Sequence, residues 1–301
     1  MKSLYGITPA VMTPFQENGE IDYAALKDHV DFLIEKGVHN LYPNGTVGEA
    51  LSMTQEERKS VAEKVVEYAA GRVGVFVHVG LLDVRESIKL ALHAKSIGAD
   101  GIGAVTPYFY NVSQNDIMEY YRALSAGLPD DFPIYIYNLP CCAVNDILPE
   151  SVAELAKRPN ICGIKNTQGD ILRMTTLLRK VPEDFTVIMG EDQALMSALA
   201  LGAKGAVSGT SNMIPEVFVA MYDAVCAGDL KTAAHCQQQI SEVFELMNGS
   251  VRTCHIKAAL EMRGFRKSYT RAPQQRETTP EELAKFRPGL QKIFRAEGYF
   301  G

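Results

Sequence analysis

Lys165 closes the apolar run Ile161-Cys162-Gly163-Ile164. Lysine is rarely buried without a partner, so a lysine in this place needs a chemical reason. An apolar surround disfavours an ammonium ion. A neutral amine attacks a ketone and forms an imine. The protonated imine then draws electrons from the adjacent carbon, which becomes an enamine. The enamine adds to an aldehyde, or the reverse step cleaves a carbon–carbon bond. A second apolar run, Ile134-Tyr135-Ile136-Tyr137-Asn138, ends close by in sequence. Tyr135 and Tyr137 share parity and so share a face of a strand. Tyr137 comes last, where a phenol can move protons during imine formation and bond cleavage. Either tyrosine also suits a core position with a satisfied hydroxyl.

Other polar groups fall at the ends of apolar runs. In Asn44-Gly45-Thr46-Val47-Gly48-Glu49, two glycines around Thr46 let backbone N–H groups turn toward an anion such as a carboxylate. A plain turn fits those residues equally. Gly190-Glu191-Asp192-Gln193 and Ser208-Gly209-Thr210-Ser211-Asn212 offer groups for polyol recognition or for helix capping. Metal chemistry is not indicated. His78, His93 and His235 have no ligand spacing with one another, and no HExxH motif occurs. No GxGxxG fingerprint follows an apolar run.

The elements that must position these groups repeat one pattern. Short Val- and Ile-rich runs alternate with helical periodicity. The runs are Gly6–Met12, Asn40–Tyr42, Gly74–Val79, Gly101–Val105, Pro133–Tyr137, Ile161–Lys165, Thr186–Met189 and Gly205–Ser208. Each is followed by a helix-like segment, the first near Asp22–Lys36 and the last at Pro215–Ala227. Continuous apolar strands between helices argue for a parallel sheet. Eight such units argue for an α/β fold of the (β/α)8 TIM-barrel type, with reacting residues at the C-terminal strand ends. The strand pattern stops after Gly228. Asp229–Met247, Val251–Arg263 and Pro280–Glu297 read as three further helices, and 265–279 reads as a polar linker. The expected division is a catalytic barrel over 1–228 and a helical extension over 229–301.

The chain has 301 residues, 47% of them apolar, and a formal net charge of -6. That balance, with no basic block, gives no reason to expect nucleic acid or an anionic membrane as partner. No apolar run is long enough to span a bilayer, which takes roughly 20 residues. The beginning does not read as a signal peptide, so a cytoplasmic location is expected. The six cysteines lack CxxC spacing and are expected to be free thiols, buried or half-buried.

Together these residues form a recognisable set. The chain resembles the N-acetylneuraminate lyase and dihydrodipicolinate synthase superfamily of pyruvate-dependent class I aldolases. The resemblance covers nearly the whole chain. It rests on the stretch from Gly6-Ile7-Thr8-Pro9 to Thr13-Pro14-Phe15, on GTVGE at 45–49, VTPYFY at 105–110 and IYNLP at 136–140. GIKNT at 163–167 and GAKGAVSGTSNMIP at 202–215 complete it. It implies a Schiff base on Lys165 with Tyr137 as the proton-transfer phenol. It implies that Thr46 and the Val47 backbone hold the pyruvate carboxylate, with Thr46 also in a proton relay. It implies that Tyr110 is a relay tyrosine near a subunit interface of a homotetramer. Thr167, Gly190, Asp192 and Ser208 match positions that contact the sugar portion in neuraminate lyases. No added cofactor and no metal is implied, since the covalent imine does the work.

Three positions depart from the family pattern. Val47 stands where most members have a second hydroxyl. Cys142 stands where dihydrodipicolinate synthases carry an arginine that clamps the second substrate's carboxylate. Gln193 stands where neuraminate lyases usually have a glutamate. The expected activity is a lyase or aldolase joining or splitting pyruvate and an aldehyde, with a sugar acid as the larger substrate. Dihydrodipicolinate synthase is the alternative enzyme. A non-catalytic 2-oxo acid sensor is the alternative of another class.

Overall fold

The structure is a computed structural model that describes residues 3–296 and 298. Eight parallel strands form its centre: β1 (Gly6–Pro9), β2 (Asn40–Leu41), β3 (Gly74–His78), β4 (Gly101–Val105), β5 (Ile134–Asn138), β6 (Ile161–Asn166), β7 (Thr186–Met189) and β8 (Gly205–Ser208). They lie in the order β1-β8-β7-β6-β5-β4-β3-β2. The two ends of that order meet. The His39 N–H donates to the Ile7 carbonyl at 2.9 Å and the Tyr42 N–H donates to the Pro9 carbonyl at 2.9 Å. The sheet therefore closes into the expected (β/α)8 barrel.

The helices between strands are α1 (Tyr23–Glu35), α2 (Gln55–Ala69), α3 (Val84–Ser96), α4 (Gln114–Ala126), α5 (Pro140–Ala143), α6 (Pro149–Leu155), α7 (Ile171–Lys180), α8 (Leu195–Ala200) and α9 (Pro215–Ala227). Their ends follow local chemistry. At α2, Thr54 and Glu57 form a reciprocal capping box, as the run of a hydroxyl and early acids predicts. After α3, Gly98 takes φ +85° and lets the chain turn into β4. The four-residue helix α5 is not signalled in the sequence. It starts on Pro140 and carries Cys141 and Cys142 at the mouth of the barrel.

Two apolar layers hold the barrel. Phe76, Tyr135, Ile188 and Val207 come from four different strands and pack with Tyr42 and Leu4 inside it. A larger core lies between the strands and the helices. The extension consists of α10 (Leu230–Leu246), α11 (Thr253–Met262) and α12 (Pro280–Ala296). The expected helix end at Glu297 falls outside the described residues. Phe286, Leu290 and Phe294 of α12 are buried in the same core as the barrel helices. Burial of each such side chain is worth about 1.5–3 kcal/mol at most.

Two expectations need correction. Residues 265–279 are not merely a linker. The Tyr269 N–H donates to the Phe15 carbonyl at 2.9 Å. The Arg271 guanidinium donates to the Gly19 carbonyl (2.8 Å), the Ser52 carbonyl (3.0 Å) and both carboxylate oxygens of Glu57 (2.6 and 2.9 Å). Some of its polar groups bind the barrel, while Arg266, Lys267, Gln274 and Glu277 are exposed. No disulfide joins the cysteines among the described residues, but Cys141, Cys142 and Cys226 are exposed, not buried. Among the described residues, no helix is long and apolar enough to cross a membrane.

The hydrogen bond from Arg271 holds the Glu57 carboxyl down at about 2, from an ordinary 4.5. A carboxylate with a lowered native pKa contributes stability above the unfolded value and loses it as pH falls toward the native one. Glu57→Gln is therefore expected to lower Tm at pH 7, with a loss of stability on the order of 1 kcal/mol or less for a partly exposed pair. The deficit should shrink as the melt is repeated from pH 5 down to pH 2. A deficit that stays constant over that range would exclude the ionic contribution.

Candidate active site

The pairing of β5 with β6 sets Tyr137 beside Lys165 in register. Paired residues of adjacent parallel strands face the same way, so both side chains enter the barrel mouth. The Lys165 Nζ lies 4.1 Å from the centroid of the Tyr137 ring. Both residues are buried, Lys165 at 6% exposure. Gly190, just after β7, makes the room. A Cβ at that position would stand 2.7 Å from the Lys165 Cε and 2.3 Å from the Thr167 Oγ1. Its absence of a side chain is a packing requirement of the lysine.

The loop after β2 brings the next group. The Thr46 Oγ1 lies 3.3 Å from the Tyr137 hydroxyl, and either can donate. The loop is braced from behind. The His78 Nδ1–H donates to the Asn44 carbonyl at 2.9 Å, and the Val105 N–H donates to the His78 Nε2 at 3.3 Å. That pattern fixes a neutral tautomer. Burial lowers the His78 pKa to about 3, and the Arg58 charge pushes the same way. The His78 ring meets the Tyr137 ring edge-on at 5.9 Å. His78 is the last residue of β3, as Lys165 is the last but one of β6. The strand-end rule that singled out the lysine applies to it equally.

Lys165, Tyr137, Thr46, Val47, Thr167, Gly190 and Asp192 all line one cavity of about 210 Å³. Phe244 of α10 and Val251 beyond it close the far wall. These two come from the extension, and nothing in their local sequence marks them. A second cavity of about 160 Å³ adjoins the first at Tyr137, Leu139 and Cys142, and Tyr108 and Leu51 line it. Asp192 is buried, and burial raises its carboxyl to about 6 against hydrogen bonds from Thr210 and Ser208. The Asp192 Oδ1 and Thr167 Oγ1 are buried with no hydrogen-bond partner among the described residues. Two orphaned polar atoms on one cavity wall mark where a polar ligand is received.

The remaining candidates are placed differently. Ser208 is fully buried, and its Oγ accepts from the Ser211 N–H at 3.0 Å. Gln193 is exposed and does not line the cavity. Tyr110 is 59% exposed, beside Phe109 at 76%, and neither reaches the Thr46–Tyr137 pair within this chain. Cys142 lines the cavity as expected, with apolar Leu139 beside it. Among the described residues, no cationic side chain apart from Lys165 lines either cavity. Among the described residues, no group of His, Cys, Asp and Glu could hold a metal ion.

A closed parallel barrel with a buried lysine and a phenol at its mouth is the setting for imine chemistry. The model of the dihydrodipicolinate synthetase family matches residues 3–292, and the chain belongs to that family. It is 33% identical over 283 residues to a 4-hydroxy-tetrahydrodipicolinate synthase of Methanospirillum hungatei, covering 92% of this chain and 96% of that one. It is 36% identical over 247 residues to a probable 2-dehydro-3-deoxy-D-pentonate aldolase of Escherichia coli, covering 81% of each. Among solved structures it is similar to a prophage protein of that family from E. coli in complex with pyruvate. The TM-score is 0.88 at 30% identity, with 97% of this chain and 98% of that chain covered. Enzymes of the family hold pyruvate as a covalent lysine Schiff base and use no added cofactor. The chain is a lyase or aldolase of this family.

The raised Asp192 pKa has a sign that can be read. Between about pH 4 and pH 6 the native state keeps a proton that the unfolded chain releases. Stability therefore falls as pH rises through that window. Asp192→Asn, which cannot ionise, is expected to gain in Tm relative to the unsubstituted protein on going from pH 4 to pH 7.5. A difference in Tm that is the same at both pH values would mean that Asp192 titrates normally.

Proposed function

We propose that Lys165 forms the Schiff base with pyruvate and that Tyr137 moves the protons. The observation that carries this is the in-register pair, with Nζ 4.1 Å from the phenol ring and a threonine hydroxyl 3.3 Å from the phenol oxygen. In the condensing direction Nζ attacks the C2 carbon of the 2-oxo acid. The carbinolamine loses water, with Tyr137 and Thr46 passing the proton to the departing hydroxyl. The Tyr137 phenolate then takes a methyl proton from the iminium, and the resulting enamine attacks the aldehyde carbon. Tyr137 protonates the new alkoxide. In the cleaving direction the Tyr137 phenolate takes the proton of the C4 hydroxyl. The C3–C4 bond breaks and its electrons go to the iminium. Thr46 and the Val47 N–H hold the carboxylate.

For the larger substrate, the reading is a hydroxylated sugar acid, split into pyruvate and an uncharged hydroxyaldehyde. Asp192 and Thr167 offer unfilled hydrogen-bonding positions to hydroxyl groups. Cys142 and Leu139 occupy the end where a second carboxylate would need a cation. The similarity to a pentonate aldolase supports the same reading. The similarity to 4-hydroxy-tetrahydrodipicolinate synthases supports the second one, in which the aldehyde carries a carboxylate. The proposal extends to a cytoplasmic homotetramer. Exposed Phe109, Tyr110 and Val144 at the barrel mouth supply an apolar surface for a second copy, and Tyr110 would act there.

The test is to incubate the protein with pyruvate and borohydride, then to map the adduct by mass. Lys165 is expected to carry it, and an unmodified Lys165 would sink the proposal. Turnover on hydroxyaldehydes, with none on aspartate semialdehyde, is expected next; the opposite preference would select the synthase. An adduct with no turnover on either would indicate a 2-oxo acid sensor. Tyr137→Phe is expected to slow cleavage by roughly a hundred- to ten-thousand-fold, with an unchanged circular dichroism spectrum. Near-normal cleavage would show that another group moves the proton.

A further inference from the structure

The loop that carries Thr46 ends on a residue with no evident part in the chemistry. Glu49 is buried, and its backbone is in the left-handed region at φ +55°. Its side chain leaves the loop for the C-terminal part of the chain. The Glu49 Oε1 accepts from the Lys257 Nζ of α11 at 2.5 Å, and Oε2 accepts from the Arg271 N–H at 2.8 Å. The two side chains of the ion pair are 0% and 2% exposed. The Lys257 Nζ also donates to the Tyr269 carbonyl at 2.5 Å and stands 4.8 Å over the Phe15 ring. The Arg271 guanidinium stands over the same ring at 4.3 Å. The other flank of the loop is tied by the Thr13 hydroxyl, which donates to the Gly48 carbonyl at 2.8 Å.

A buried ion pair is a poor device for stability alone, because desolvation cancels much of the attraction. An apolar pair of the same volume would pack as well. What the ion pair adds is direction. It fixes where Glu49 sits, and hence how the preceding turn is presented. The turn is short: the Glu49 N–H donates to the Thr46 carbonyl at 3.1 Å. A displacement at Glu49 therefore moves Thr46 and Val47. Charge matters as well. An anionic guest at Thr46–Val47 lies within a few residues of the Glu49 carboxylate. Without a cation against it, that carboxylate would repel the guest in a region of low dielectric.

We infer that Lys257 is a positioning residue for the carboxylate of the 2-oxo acid, acting through Glu49, with the Arg271 backbone as its second support. The inference rests on the reading that Thr46 and Val47 hold that carboxylate. Lys257 touches neither substrate nor Lys165. It sets the loop that does the binding and balances the charge next to it.

The experiment compares two ketones trapped by borohydride on Lys165. Pyruvate has the carboxylate, and acetone has the same number of carbons without it. The variants are Lys257→Met and the double Glu49→Gln/Lys257→Met, which leaves no unpaired buried charge. The concentration of pyruvate giving half-maximal trapping is expected to rise about tenfold or more in both variants. Acetone trapping is expected to stay as in the unsubstituted protein. A purely structural role would move both ketones together, or lower Tm and move neither, and either result overturns the inference. Unfolding of both variants would also assign the pair to stability alone. If the unsubstituted protein traps neither ketone on Lys165, the Schiff-base reading itself fails. If it traps pyruvate and the variants match it, only the inference about Lys257 fails.

Discussion

Adjacent parallel strands in register present paired side chains side by side, and the mouth of this barrel is organised by one such pair. Tyr137 and Lys165 are register partners of β5 and β6. The lysine is buried there with its Nζ 4.1 Å from the centroid of the phenol ring. Room for its Cε exists because position 190 has no side chain. Thr46, Tyr42 and His78 are then arranged around the phenol, with ring centroids 6.4 and 5.9 Å from it for the last two. Shifting the register by one residue would turn Lys165 toward the helices and dismantle the group.

The loops that complete the mouth are held under strain. Asn44, Glu49 and Phe109 all have positive φ without being glycine, a conformation costing on the order of 1–3 kcal/mol each. Such conformations persist only where the surroundings over-determine them. Around Asn44 this is visible. Its carbonyl accepts from His78, and its Nδ2 donates to the Arg58 carbonyl at 2.8 Å. Around Glu49 the extension does the same work. The α10–α12 segment thus meets the cavity twice over, through Lys257 behind the loop that carries Thr46 and through Phe244 on the cavity wall.

The barrel was legible because its strands are short, apolar and bounded by glycine or proline. Gly101–Val105, Thr186–Met189 and Gly205–Ser208 begin and end where the residue pattern places them. Tyr137 and Lys165 were legible because they lie one residue before the ends of β5 and β6, and Asp192 because it follows β7 by three residues. What escaped was whatever depends on distant packing. Helix α5 is four residues long, too short for any periodicity to appear. The polar residues near Arg271 look solvated in sequence, since nothing local reveals a partner 214 positions away. Asp192 showed its place but not its burial. Tyr110 matched a motif and Gln193 departed from one, and both residues are exposed in the single chain.

The ion pair of Glu49 and Lys257 joins residues 208 positions apart. During synthesis, at about 5–20 residues per second, Glu49 waits on the order of tens of seconds before its partner is made. Until then a carboxylate destined for a dry interior has no ammonium to receive it. The turn at Glu49 therefore acquires its buried cation only once α11 has been made, so the N-terminal units of the barrel depend on the C-terminal extension for the support of their own loop.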